Sequence, residues 1–123
     1  MSKITIQADC GNAPRKIFLK EFYSSLFIGD TALLDDYFPE NICWQIAGQD
    51  AVTGKKEVLK AFSKHKLIKA KELTIETIIT HGREAAVSGH FKGKDNLKHL
   101  FCDVFRFKGA GGISISSVLT FIA

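Results

Sequence analysis

The residues best suited to chemistry lie in one stretch, HLFCDVFRF at positions 99–107. Odd and even side chains of a β-strand point to opposite faces, so Asp103 shares its face with phenylalanines and Arg106 points away. An apolar environment disfavours the charged form of a carboxyl group, and we therefore expect the pKa of Asp103 to be raised. Such a group can act as an acid, a base or a neutral hydrogen-bond donor. The phenylalanines on its face are Phe101, Phe105 and Phe107.

A second interpretation of Asp103 involves no chemistry. The carboxylate would be solvated at a strand edge, or paired with a nearby lysine or backbone N–H. His99 is on the same face but four residues away, roughly 13 Å at the rise of a strand, which is too far for a dyad. We interpret His99 as a rim or core residue and His90 as a residue of the outer face.

The remaining polar and sulfur-containing residues favour no cofactor. An odd number of cysteines (Cys10, Cys43 and Cys102) without a secretory signal predicts free thiols in a reducing compartment, hence a cytoplasmic protein. No His, Cys and acidic residues have metal-ligand spacing, and the glycine-rich run 109–112 joins two predicted strands, so we predict neither a metal nor a nucleotide. No apolar run is long enough to span a membrane.

The net charge of +4 arises from one lysine-rich segment. Residues 55–71 contain seven lysines and one acidic residue, whereas the rest of the chain has ten basic and twelve acidic residues. Lys56, Lys60 and Lys64 follow one face of a predicted helix, and a basic helix can contact phosphates. The aromatic residue of this helix faces the core, so we interpret the lysines as a solvated surface and do not expect nucleic acid binding.

The predicted elements place helices first and strands last. The chain has 123 residues with 46% hydrophobic and 24% charged residues, which suits one globular domain over residues 1–123 and excludes a disordered, collagen-like or disulfide-scaffold protein. One helix follows Asn12-Ala13-Pro14 and ends near Gly29, a second starts at Asp30 and stops at Pro39, and a third covers about 55–66. A short strand surrounds Trp44, and period-two patterns predict strands at 72–79, 85–92, 97–108 and 113–122. The order α-α-β-α-β-β-β-β predicts an α+β fold.

Three strings carry a resemblance to a known family. They are LFIGD at 26–30, EAA at 84–86 and DVFRFKGAG at 103–111. The chain resembles the nuclear-transport-factor-two-like superfamily over residues 14–122, and the third string is similar to an Asp-x-Phe-Arg-Phe-x-Gly-x-Gly segment of bacterial steroid Δ-isomerases. The resemblance implies a curved antiparallel sheet that wraps around three helices into a cone with an apolar pocket, usually in a homodimer.

The resemblance also implies roles for single residues. The isomerase carboxyl group matched by Asp103 is the protonated partner in an oxyanion hole. The second donor is a tyrosine whose position matches Phe22, with Tyr23 about 100° further around the helix. The isomerases' general base falls on Ile46 or Gln45, neither of which can abstract a proton as a carboxylate does, so steroid isomerisation by that mechanism is not expected. Epoxide hydrolases of the superfamily need an Asp-Arg-Asp set, and the strand 85–92 contains neither residue type.

Two functions remain open. The first is a SnoaL-like enzyme, of an isomerase or cyclase type, that performs acid–base chemistry on a small, largely apolar carbonyl compound, with Asp103 as acid or base and Tyr23 as a donor. The second is a non-catalytic small-molecule-binding or dimerisation module, with a partner chain on the outer face around Leu100, Cys102 and Val104. Gly89 either leaves cavity space or marks a bulge, and Trp44 either lines the pocket or packs in the core. The candidate ligand-binding residues are Phe22, Trp44, Ile46, Gly89, Phe101, Phe105 and Phe107.

Overall fold

The computed structural model describes residues 3–6, 14–29, 31–64, 70–109 and 114–123. These residues form three helices and seven strands in the order β1-α1-α2-β2-β3-α3-β4-β5-β6-β7. The helices are α1 (Pro14–Ile28), α2 (Thr31–Tyr37) and α3 (Lys55–Ser63). The strands are β1 (Lys3–Ile6), β2 (Cys43–Ile46), β3 (Val52–Thr53), β4 (Glu72–His81), β5 (Glu84–Lys92), β6 (Lys98–Phe107) and β7 (Ile115–Ile122).

The helix ends follow the local signals in the sequence. Pro14 occupies the first position of α1, where its missing N–H costs nothing. Gly29 follows the last residue of α1 with φ of 76°, the left-handed conformation that glycine adopts without strain. The α2 helix ends two residues before Pro39. Two predicted capping residues, Asn12 and Asp30, lie outside the described residues.

All seven described strands belong to one sheet in the order β1-β4-β5-β6-β7-β2-β3. The predicted α+β class is confirmed, and β4 to β7 form the expected antiparallel meander. The expectation of a wholly antiparallel sheet needs correction, because β1 pairs with β4 and β2 pairs with β7 in parallel. The short strands β1 and β3 were not predicted, since edge strands of four and two residues pair through their backbones and need no long alternating pattern.

The inner face of the sheet and the helices enclose an aromatic core. The expected alternation of β6 is present: Phe101, Asp103, Phe105 and Phe107 are all buried, whereas Leu100 and Arg106 are exposed. Phe22 of α1 meets the Phe105 ring edge-on, with ring centroids 5.5 Å apart. Edge-to-face contacts of this kind add stabilisation to the burial of the rings.

A β-bulge in β4 explains Gly89. The register between β4 and β5 shifts between Ile75 and Thr77, opposite Gly89 and Ser88. A Cβ atom on Gly89 would lie 2.0 Å from the carbonyl oxygen of Thr74. The expectation that Gly89 leaves cavity space is therefore wrong: backbone fills that space, and the glycine permits the close approach of two strands where the sheet bends.

In the part of the chain that the structure describes, no helix combines the length and the apolar character needed to cross a membrane.

Candidate functional site

Asp103 is the buried polar centre of the fold. Its side chain lies on the inner face of β6 with 6% of its surface exposed. The hydroxyl group of Tyr23, on α1, donates a hydrogen bond to Oδ2 of Asp103. The hydroxyl group of Thr120 donates to Oδ1 over 2.6 Å, because the register of β6 and β7 places Thr120 directly opposite Asp103. Both carboxyl oxygens thus accept a hydrogen bond, as the ionised form requires.

The polar chain continues to Trp44. The indole Nε1 of Trp44 donates a hydrogen bond to Oγ1 of Thr120 over 2.8 Å. The parallel pairing of β2 with β7 sets Trp44 beside Val118 and Ile46 beside Thr120, which brings the ring within reach of the hydroxyl group. The connected groups are therefore Trp44, Thr120, Asp103 and Tyr23, drawn from β2, β7, β6 and α1.

Burial controls the acidity of this centre. Removal from water raises the pKa of Asp103 from its ordinary 3.8 to about 6, and the hydrogen bonds from Thr120 and Tyr23 limit that rise. Burial, and then the neighbouring Asp103 carboxylate, raise the pKa of Tyr23 well above its usual value. Among the described residues no lysine, arginine or histidine forms an ion pair with Asp103. Asp103 consequently changes charge close to neutral pH, where a group can both give and take a proton.

The structure brings together the two predicted catalytic residues and adds a third group. Tyr23, not Phe22, contacts Asp103, while Phe22 packs against Phe105 and Phe62. Thr120 was not among the site residues predicted from the sequence. Counting residues outward from the predicted hairpin between positions 108 and 113 would have placed Val118 opposite Asp103, because such a count misses the register of the real turn and the bulge between Arg106 and Phe107.

Two of the predicted wall residues line an open groove. Trp44 and Ile46 form part of a groove of about 560 Å³ between β2, β3, α3 and the end of β7. The Trp44 ring is stacked on Phe62, with centroids 4.2 Å apart and planes 13° apart, and both residues belong to the core. The other lining residues are Ala47, Gln49, Asp50, Val52, Ala61, Lys64, Phe121 and Ile122.

The other predicted wall residues do not line this groove. Phe101 and Phe105 lie against the Tyr23 ring, at centroid distances of 5.9 Å and 6.2 Å. Phe107 borders a separate cleft of about 470 Å³ near the β4–β5 turn, and the Arg15 guanidinium lies 4.1 Å above its ring. Phe101 and Phe105 therefore pack around the Asp103–Tyr23 pair as part of the core.

The histidines and cysteines occupy other places. His90 lies 3.0 Å from Glu76, and His99 is stacked on Phe91. Within the described ranges, no three His, Cys, Asp or Glu side chains come together in a way that could hold a metal ion. Cys43 and Cys102 are free thiols.

The family assignment follows from a match over most of the chain. The model of the SnoaL-like domain family matches residues 19–115, which contain Tyr23, Trp44 and Asp103. The chain belongs to the SnoaL-like domain family. No curated protein matches this SnoaL-like domain.

Solved structures share the fold of this SnoaL-like domain at low sequence identity. An NTF2-like protein of unknown function from Cytophaga hutchinsonii is 21% identical, with 92% of this chain and 100% of that chain covered and a TM-score of 0.68. The epoxide hydrolase/cyclase-like enzyme SalBIII, described in pyran ring formation in the polyether salinomycin, is 21% identical, with 89% and 90% covered and a TM-score of 0.70. A putative SnoaL-like polyketide cyclase from Shewanella denitrificans is 12% identical, with 89% and 90% covered and a TM-score of 0.70. At these identities the likeness concerns the fold.

Proposed function

We propose that this SnoaL-like domain binds a small, largely apolar carbonyl compound and that Asp103 exchanges a proton with it, as an isomerase or cyclase would. One observation carries the proposal: a buried carboxyl group with two hydroxyl donors and a pKa of about 6. Perturbed carboxyl groups of this kind cluster at functional sites.

The chemistry needs only the groups of this site. The Asp103 carboxylate takes a proton from the carbon next to the ligand's carbonyl group, and the electron pair of that C–H bond forms the enolate. Once Asp103 is protonated, the single hydroxyl proton of Tyr23, which Oδ2 of Asp103 accepts in the structure, turns to the enolate oxygen, where negative charge develops. Protonated Asp103 then returns the proton, either to the same carbon or to a conjugated one. Isomerisation and ring closure both begin with such a transfer.

Proton exchange tests this proposal without knowledge of the natural substrate. β-Tetralone is a small apolar ketone, and its exchange of α-protons in deuterium oxide is followed by proton NMR. We expect the wild-type chain to accelerate exchange and Asp103→Asn to lower the accelerated rate roughly 100-fold or more, since the amide cannot act as the base. Asp36→Asn, which removes an exposed acid on α2 outside the groove, is the matched control and should retain the rate. Equal rates for wild type and Asp103→Asn would contradict catalysis by Asp103.

A non-catalytic binding or dimerisation module is the second candidate. It is favoured by the burial of Asp103 and Tyr23, which satisfy one another's hydrogen bonds and line neither the groove nor the cleft described above. In this alternative the ligand occupies the groove against Trp44, and Asp103 holds Tyr23 and Thr120 in place.

Under either candidate we propose a homodimer through the outer face of the sheet. Leu100 and Phe121 are 51% and 45% exposed there, and Val104 and Leu119 form the next pair on the same face, beyond Cys102 and Phe121. Val104→Lys should weaken self-association roughly 100-fold, since an unpaired charge buried at an interface costs about 3 kcal/mol or more. Ile28→Lys places the same charge at the end of α1 on an exposed residue and is the control. Sedimentation velocity over a concentration series measures both, and a monomeric wild type would contradict the dimer.

We also propose a cytoplasmic location. The free thiols of Cys43 and Cys102 support it, because thiols persist in a reducing compartment.

A further inference from the structure

Thr120 occupies a position between a surface groove and the buried carboxyl group. Its hydroxyl oxygen accepts the Trp44 indole N–H, and its hydroxyl proton goes to Oδ1 of Asp103. An indole nitrogen can only donate, so the direction of the first hydrogen bond is certain. The direction of the second follows, because Thr120 has one proton and the ionised carboxylate has none. The chain of hydrogen bonds therefore runs from Trp44 to Asp103.

Consecutive hydrogen bonds of this kind strengthen one another. A hydroxyl group that accepts a hydrogen bond becomes a better donor, and the effect is larger where water is excluded. Thr120 and Trp44 are 2% and 3% exposed. The indole N–H thus helps Thr120 to stabilise the charged form of Asp103, and a change in the position of the indole alters the proton affinity of the carboxyl group.

Trp44 is also one of the residues that line the surface groove. It lies at the edge of the groove of about 560 Å³, and its ring is stacked on Phe62 on the side of the core. An apolar molecule that turns or displaces the ring weakens the hydrogen bond to Thr120.

We propose that Thr120 is a positioning residue that couples Trp44 to the proton on Asp103, so that a small apolar molecule bound against Trp44 in the groove promotes proton uptake by Asp103. The proposal deepens the proposed function, on which it rests for its biological consequence: binding in the groove raises the proton affinity of Asp103 and so makes its carboxylate a stronger base. Conversely, the loss of a proton from Asp103 strengthens the hydrogen bond that Thr120 accepts from the Trp44 indole.

Few other titratable groups interact with the hydrogen bonds that link Trp44, Thr120 and Asp103. Tyr23 on α1 and Cys102 on the opposite face of β6 interact with Asp103, and both titrate at higher pH. The neighbouring strand β5 presents Val87, which is not titratable. At the groove the charged groups are Asp50 and Lys64. The described histidines are His81 at the β4–β5 turn, His90 beside Glu76 and His99 on Phe91, all outside the chain from Trp44 to Asp103.

Trp44 is the only tryptophan, so its fluorescence reports the coupling without any ligand. Emission is recorded against pH, and the ionisation of Asp103 is followed in parallel by carboxyl NMR. We expect the emission of the wild type to change with a midpoint at about pH 6, together with Asp103. Asp103→Asn should abolish the change. Thr120→Val keeps the shape of the side chain and removes the hydroxyl group. This variant should abolish the pH-dependent change in Trp44 emission and raise the pKa of Asp103. Thr120→Ser should restore the wild-type emission change and pKa.

Two results would overturn the coupling. One is a fluorescence transition in Thr120→Val that still follows Asp103. The other, which does not depend on the folding of Thr120→Val, is an unchanged pKa of Asp103 in Trp44→Phe, where we expect a rise. None of these measurements uses a substrate. A failure of β-tetralone exchange would therefore contradict the proposed function alone, and a Trp44 signal independent of Asp103 would contradict the coupling alone.

Discussion

As the pH rises from about 4 to about 7, the free energy of unfolding of the wild type is expected to fall by about 2 kcal/mol relative to that of Asp103→Asn. Asp103 has a pKa of about 6 in the folded chain against an ordinary value of 3.8. The folded state therefore binds this proton more tightly than the unfolded state. The resulting stabilisation is complete below the unfolded pKa and is lost as the pH passes through the folded pKa.

Urea unfolding curves across this pH range measure the effect. The measured quantity is the difference between the two chains, because all groups other than residue 103 are common to both. Asp50→Asn serves as a second control, since Asp50 is exposed, and its curve should run parallel to that of the wild type. Parallel curves for wild type and Asp103→Asn would mean that Asp103 has an unperturbed pKa, and the acid–base proposal would lose its basis.

Gly89→Ala is expected to lower the free energy of unfolding by about 2 kcal/mol or more. This is the size of effect seen when extra atoms are forced into a well-packed core. The new Cβ would lie 2.0 Å from the carbonyl oxygen of Thr74 and 3.2 Å from Cα of Ile75. Both contacts are with backbone, so no side chain can rotate away. The strands β4 and β5 would have to separate at the bulge, where they pair Ile75 with Gly89.

The matched control for this substitution is Gly109→Ala. A Cβ on Gly109 meets nothing within 4 Å, and its φ lies outside the left-handed region. Its free energy of unfolding should stay within about 0.5 kcal/mol of the wild type, as for most surface substitutions. Equal stabilities of the two variants would contradict the close approach of β4 and β5.

The strands in the second half of the chain could be predicted because their alternating patterns involve only neighbouring residues. Alternation in 97–108 indicates which residues share a face, and this alone placed Asp103 among phenylalanines and predicted its raised pKa. Proline and glycine likewise predicted the ends of α1 and α2, since their backbone preferences do not depend on distant residues. The curved sheet that wraps around the helices was predicted from the family resemblance.

The partners of Asp103 could not be predicted with the same means. Whether Tyr23 or Phe22 faces Asp103 depends on the rotation of α1 about its axis, and a rotation of one residue is about 100°. The parallel pairing of β2 with β7, which brings Trp44 to Thr120, joins segments more than 70 residues apart and leaves no periodic signal. The backbone that fills the space at Gly89 belongs to another strand.

The sequence by itself determined the α+β class, the antiparallel meander and the apolar face on which Asp103 lies, because these follow from side-chain periodicity and local backbone preference. Only the tertiary structure decided that Tyr23 and Thr120 donate to the two oxygens of Asp103, that Trp44 extends the chain of hydrogen bonds to a groove, and that backbone occupies the space beside Gly89. These features depend on helix rotation, strand register and a bulge. Each is set by the packing of distant segments against one another, and no local pattern encodes it.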